Sequence, residues 1–179
     1  MPGLRKKYNF SEKNYFVLYG FAPKFNISMR SLTSTYKQMM GILRNDNSTL
    51  AYEHLERVKN GFNTLHDPIT RARYLIELQG IDVDVIDNRT TDVIMYAETL
   101  RQSFIAANTI ESITELVKCL KEDSNAILDE LETAIDHDKD YTTAMGLICK
   151  FYEIFNIYPT TIAKLAGIES GKIIYVNFS

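Results

Sequence analysis

Apolar residues recur at spacings of three and four along most of this chain, a period that predicts helices. Met29, Leu32, Tyr36, Met39, Met40 and Leu43 share one face behind Ser28, a residue suited to an N-cap. The polar stretch Asn45-Asp46-Asn47-Ser48 reads as a turn, because these side chains compete with helix by bonding local backbone. Leu50, Leu55, Val58, Phe62 and Leu65 then supply a second buried stripe, capped by Ser48 or Asn47. Asp67-Pro68 opens a third helix, with proline at its first position, running through Arg71, Ala72, Tyr74, Leu75 and Leu78 to a C-cap at Gly80. Tyr15–Tyr19 is an apolar run ended by Gly20, too short for its period to choose between a strand and one helical turn.

Residues 81–91 are polar and acidic, and a domain boundary is predicted there. Ile94, Met95, Leu100 and Phe104 follow a cap at Thr91 or Asp92. Ile110, Ile113, Val117, Leu120, Ser124, Ile127, Leu131 and Ala134 alternate spacings of three and four, the seam of a long bundle helix. After a connection at 137–141, Tyr141, Met145, Ile148, Phe151, Tyr152 and Phe155 form the stripe of a last helix expected to stop near Pro159. The closing apolar segment 171–179 has no role assigned by its pattern.

Hydrophobic residues make up 45% of the chain and charged residues 24%, ordinary for a folded domain. No apolar stretch approaches the roughly 20 residues that a membrane span needs, and no apolar run follows the basic N-terminus as in a secretory signal. Two cysteines thirty residues apart, Cys119 and Cys149, spell neither a disulfide framework nor a zinc site; a reducing compartment and buried, inert thiols are expected.

The charge is divided unevenly: residues 1–45 carry +7 and the remainder −10. A basic segment suits nucleic acid, but the recognition helix, zinc finger or aromatic RNA-binding motif of a reader is missing. An acidic patch on a partner protein fits at least as well, and so does a solvated face without any partner. Glycine-rich phosphate loops, GxSxG and HExxH are absent, and His54, His66 and His137 stand far apart. No catalytic, metal-binding or cofactor-binding set is expected.

One block carries a family likeness. The run from Phe62 to Gly80, with Thr64, Leu65, Pro68, Arg71, Ala72, Tyr74, Leu75 and Leu78, resembles the end of the J-domain in the HscB/Jac co-chaperones. Asn14-Tyr15-Phe16-Val17-Leu18-Tyr19-Gly20-Phe21 is similar to that family's opening block. The resemblance covers roughly residues 14–160. It implies an all-α, L-shaped protein: a J-domain-like helical hairpin at 14–80, a linker at 81–89 and an antiparallel three-helix bundle at 90–160. Residues 1–13 are then an N-terminal extension and 161–179 a tail.

The implied function is that of a co-chaperone of iron–sulfur cluster biogenesis. The bundle would bind the cluster scaffold protein, and the J-like domain would bring it to an ATP-driven heat-shock chaperone of the HscA or DnaK class. Nucleic-acid and membrane partners are not expected; a homodimer is compatible. The compartment implied is a bacterial cytoplasm or, alternatively, a mitochondrial matrix. The resemblance assigns chaperone contact to Arg30, Lys37, Arg44, Asn45 and Asp46, and scaffold contact to Ile94, Met95, Glu98 and Phe151. It breaks at one place. The family's His-Pro-Asp, which triggers ATPase stimulation, is here Arg44-Asn45-Asp46, and Glu98 stands where an apolar residue is expected. The alternative implied is a J-like interaction module that has lost chaperone stimulation and binds a different partner.

Overall fold

The computed structural model describes residues 8–46, 48–83 and 90–170. Every regular element among them is helical, and the chain divides into two compact units, residues 1–82 and 83–179. The all-α fold expected from the sequence is the fold observed.

In the first unit the Tyr15–Tyr19 run is a helix, α1, rather than a strand. The Asn14 side chain accepts from the amides of Phe16 and Val17, and Gly20 ends the helix at φ +76°, a left-handed backbone that glycine adopts without a Cβ clash. Helices α2 (Met29–Arg44) and α3 (Thr49–His66) pair as a hairpin, capped by Ser28 and Ser48. Leu32, Met39, Met40 and Leu43 on α2 face Ala51, Val58 and Leu65 on α3 in the core. Leu50, expected in the buried stripe, lies in the first turn of α3 and is 58% exposed. Gly61 permits the close approach of α1, since a Cβ there would stand 2.9 Å from the Tyr15 ring and 3.1 Å from that of Tyr19.

The 62–80 block explains itself physically. Asp67 caps α4 (Pro68–Glu77) by accepting from the Thr70 amide, with Pro68 at the first position. Buried Arg71 donates to the Leu65 carbonyl at 2.5 Å and lies over the Phe25 ring. The Tyr74 hydroxyl accepts from the Tyr15 amide at 3.1 Å, its ring against those of Tyr15 and Phe16. The helix ends at Glu77 with Leu78 as its C-cap, two residues before the expected Gly80, which turns the chain at φ +77°.

The second unit holds α5 (Thr91–Ala106), α6 (Ile110–Glu132) and α7 (Tyr141–Glu169), a three-helix bundle with a π-helical turn at Thr133–Asp138. The cap of α5 is Thr90, one residue before those expected. The seam on α6 buries Ile113, Leu120, Ile127 and Leu131, against Ala144, Met145, Ile148 and Ile154 of α7. Two further expectations for this unit are corrected. The last helix passes through Pro159 to Glu169. Proline in a helix interior costs roughly 3 kcal/mol or more. Burial of Ile154, Ile157 and Thr161 on both sides offsets that cost, and the Thr161 hydroxyl bonds the Ile157 carbonyl at 2.9 Å. Cys119 is exposed and Cys149 half-buried, so the expectation of buried thiols fails for Cys119, which sits off the seam one residue before Leu120.

Of the expected N-terminal extension, residues 8–13 are described, and they pack on the first unit. Residues 84–89 of the expected linker and segment 171–179 lie outside the described residues.

Candidate functional site

The second unit presents an apolar surface because α5 has more apolar positions than one buried face can hold. Val93, Leu100 and Phe104 point inward at spacings of seven and four. Ile94 and Met95, adjacent in sequence, fall on the outer face and are 55% and 65% exposed. Single exposed apolar residues are commonplace, whereas two neighbours on one helical turn make a patch.

Charge frames this patch. Asp92 in the first turn pairs with Lys150 of α7, which also lies over the Tyr96 ring at 5.8 Å. The Tyr96 hydroxyl donates to Asp123 of α6 at 3.0 Å, and burial together with that carboxylate raises its pKa. The Lys150 contacts set the start of α5 against the turn of α7 that carries Phe151, and the Tyr96–Asp123 bond ties it to α6. One turn beyond the patch, Glu98 accepts two bonds from Arg101, at 2.7 and 2.9 Å, and one from Gln102 at 2.6 Å. Arg101, and then Gln102, pull its carboxyl down to about 2. A depressed folded-state pKa means that this acid favours the folded form above its unfolded value and loses that effect as pH falls toward 2. Glu98 therefore stays ionised throughout the neutral range. Arg101→Ala is expected to return its titration midpoint toward the ordinary carboxylate range near ~4.3, measured by carbon-detected NMR of the side chain. An unchanged midpoint would remove the Arg101 fork as the cause.

The structure places the expected scaffold residues in two settings. Ile94, Met95 and Glu98 lie on the exposed face of α5, and Glu98 also lines a cleft of about 270 Å³ with Glu153 and Asn156 of α7. Phe151 is half-buried and lines a groove of about 440 Å³ between α6 and α7, together with Ile154, Phe155 and Tyr158. Sequence reasoning missed Phe155, 65% exposed, and Tyr152, 37% exposed, by assigning both to the core stripe. Their sequence signal was present: α7 carries more apolar residues between Leu147 and Tyr158 than one face accommodates.

In the first unit Arg30, Lys37 and Arg44 are seven residues apart and exposed, which sets them on one stripe along α2. The turn after it is held by side chains. Asn45 donates to the Gly41 carbonyl at 2.9 Å, the Asp46 amide donates to Leu43 at 3.1 Å, and the Asp46 carboxylate accepts from the Ser48 amide at 3.1 Å. Asn47 lies outside the described residues.

Among the described residues no group of three or more His, Cys, Asp and Glu is placed to hold a metal ion. No helix of the described residues is long and apolar enough to cross a membrane.

No protein-family profile matches this chain. Curated relatives do. A co-chaperone protein HscB homologue from Shewanella sp. strain ANA-3 is 32% identical over 169 residues, covering 89% of this chain and 80% of its own. The homologue from Aromatoleum aromaticum is 25% identical over 150 residues, covering 76% of this chain and 85% of its own. Among solved structures, human co-chaperone protein HscB superposes with a TM-score of 0.73 at 19% identity, over 85% of this chain and 82% of that one. Chaperone HscB from Vibrio cholerae also gives 0.73 at 19% identity, over 88% and 98%.

A hairpin unit followed by a three-helix bundle is thus the fold that these solved HscB structures share. The chain belongs to the HscB co-chaperone family, and its role is that of a co-chaperone in iron–sulfur cluster assembly. The matches favour this role over that of a J-like module with another task.

Proposed function

We propose that this chain is a bridge with two docking surfaces, one for the iron–sulfur scaffold protein and one for an ATP-driven heat-shock chaperone. The scaffold is held by the second unit through Ile94, Met95 and Phe151, with Glu98 at the margin. The observation that carries this is the exposure of Ile94 and Met95 side by side on a helix already anchored by Val93, Leu100 and Phe104. Removing the exposed part of each such side chain from water on binding contributes about half of the roughly 1.5–3 kcal/mol of full burial, and charged neighbours set register more than affinity.

The basic stripe Arg30, Lys37 and Arg44 steers the encounter with an acidic chaperone surface, and Asn45 and Asp46 meet it at the turn. Without His-Pro-Asp the turn supports contact but little ATPase stimulation. The bacterial source of the curated relatives supports action in a bacterial cytoplasm rather than a mitochondrial matrix.

Calorimetric titration with the scaffold protein of the same source tests the bridge. Micromolar binding is expected, weakened about fivefold by Phe151→Ala, since a half-buried aromatic gives up only part of its area to a partner. No heat of binding at high concentration would overturn the scaffold assignment.

A further inference from the structure

The described residues ahead of α1 do more than lead into it. The segment Tyr8–Ser11 folds into a compact turn, the Ser11 amide bonding the Asn9 side chain at 3.2 Å and the Glu12 amide bonding the Asn9 carbonyl at 3.1 Å. Phe10 is buried and stacks on His54 of α3, ring centroids 5.6 Å apart. Arg57, one turn further along α3, donates to the Phe10 carbonyl at 3.0 Å. The Tyr8 hydroxyl donates to Gln38 of α2 at 2.9 Å. The segment therefore spans both helices of the hairpin. It does so at one particular end: Phe10 and Ser11 line a cleft of about 310 Å³ together with Leu43, Asp46, Ser48 and His54. That end is the turn where Arg44-Asn45-Asp46 stands.

A turn lacking proline has more freedom, because no ring restricts φ, and short polar side chains are weak constraints on exposed backbone. We infer that Phe10 and Arg57 are positioning residues for this turn: the Tyr8–Ser11 segment, clamped to α3 through Phe10 and Arg57 and to α2 through Tyr8, walls the cleft it shares with Asp46 and Ser48 and limits their motion. Arg57 anchors the clamp and Phe10 wedges it. The consequence for chaperone contact rests on the docking reading above, whereas the effect on the turn does not.

The test uses the full-length chain with Phe10→Ala and, as the conservative replacement, Phe10→Leu. Amide hydrogen exchange at Asp46 and Ser48, read by NMR, is expected to accelerate at least ~tenfold in Phe10→Ala and to recover in Phe10→Leu, while amides of α4 and α6 keep their protection. The affinity for the heat-shock chaperone of the same source is expected to fall about fivefold in Phe10→Ala, but to change little when Asp46→Ala is already present, since residues that act through one another do not add. Unchanged exchange at Asp46 and Ser48 overturns the inference. So does an equal affinity loss in the Asp46→Ala background, which would make Phe10 a general stabiliser of the hairpin. A wild-type chain that does not bind the chaperone overturns the docking reading instead, and the exchange measurement still decides the clamp.

Discussion

Replacing Met95 with aspartate is expected to lower the affinity for the iron–sulfur scaffold at least ~30-fold, the scale of an interface hot spot. Two effects add. The apolar contact of a side chain that is 65% exposed in the free protein is lost, and a carboxylate is buried without a partner at the centre of the patch. Folding is not at stake, because the Met95 side chain already faces water and aspartate in α5 costs only roughly a few tenths of a kcal/mol in helix propensity. Circular dichroism and thermal midpoint should therefore match the wild type while the calorimetric signal with the scaffold vanishes at micromolar concentration. Undiminished binding by a folded Met95→Asp chain would take the scaffold off the outer face of α5, the α6–α7 groove that Phe151 lines with Phe155 and Tyr158 being the next surface to probe.

The second large effect is a gain. Arg44→His with Asn45→Pro rebuilds the His-Pro-Asp of the family and is expected to raise stimulation of the chaperone ATPase about tenfold over the wild-type chain, equivalent to ~1.4 kcal/mol of barrier. Asn45 has φ −90°, a modest rotation from the −65 ± 15° or so that proline demands. Proline removes two things at this C-cap, the Asn45 backbone N–H and the side-chain bond to Gly41; the side-chain bond is exposed and water replaces it. Proline also disfavours helix at the residue before it, so the last turn of α2 frays at residue 44. Single-turnover ATP hydrolysis with the heat-shock chaperone of the same source is the measurement. A folded double variant that leaves the rate unchanged would locate the loss of stimulation in the exposed face of α2 rather than in the turn.

How much of this was legible in the sequence differs by region. In the first unit the caps at Ser28, Ser48 and Asp67 and the Pro68 start were readable, because each is decided within a few residues by side-chain bonds to local amides. The contact of the Tyr74 hydroxyl with the Tyr15 amide, 59 residues apart, was not legible, since no local rule couples such positions. In the second unit the seam of α6 was readable as period. The last helix was not: Pro159 is a local stop signal, overridden by burial on both sides of it. For Ile94, Met95, Phe151 and Phe155 the period places residues on a helix but not the helix against its neighbours, so core and surface aromatics look alike. The segment Tyr8–Ser11 gave no signal of its packing, because a single phenylalanine in a polar run has no period.

The sequence by itself determined the long helices and most of their starts, since helix formation and capping depend on neighbours within about one turn, and its motifs pointed to the family. Only the tertiary structure decided which apolar residues remain in water, that α7 passes through its proline, and that residues 8–11 seat beside the turn at Asp46. Those outcomes depend on what stands opposite each face, and burial between elements distant in the chain outweighs any preference written along one of them.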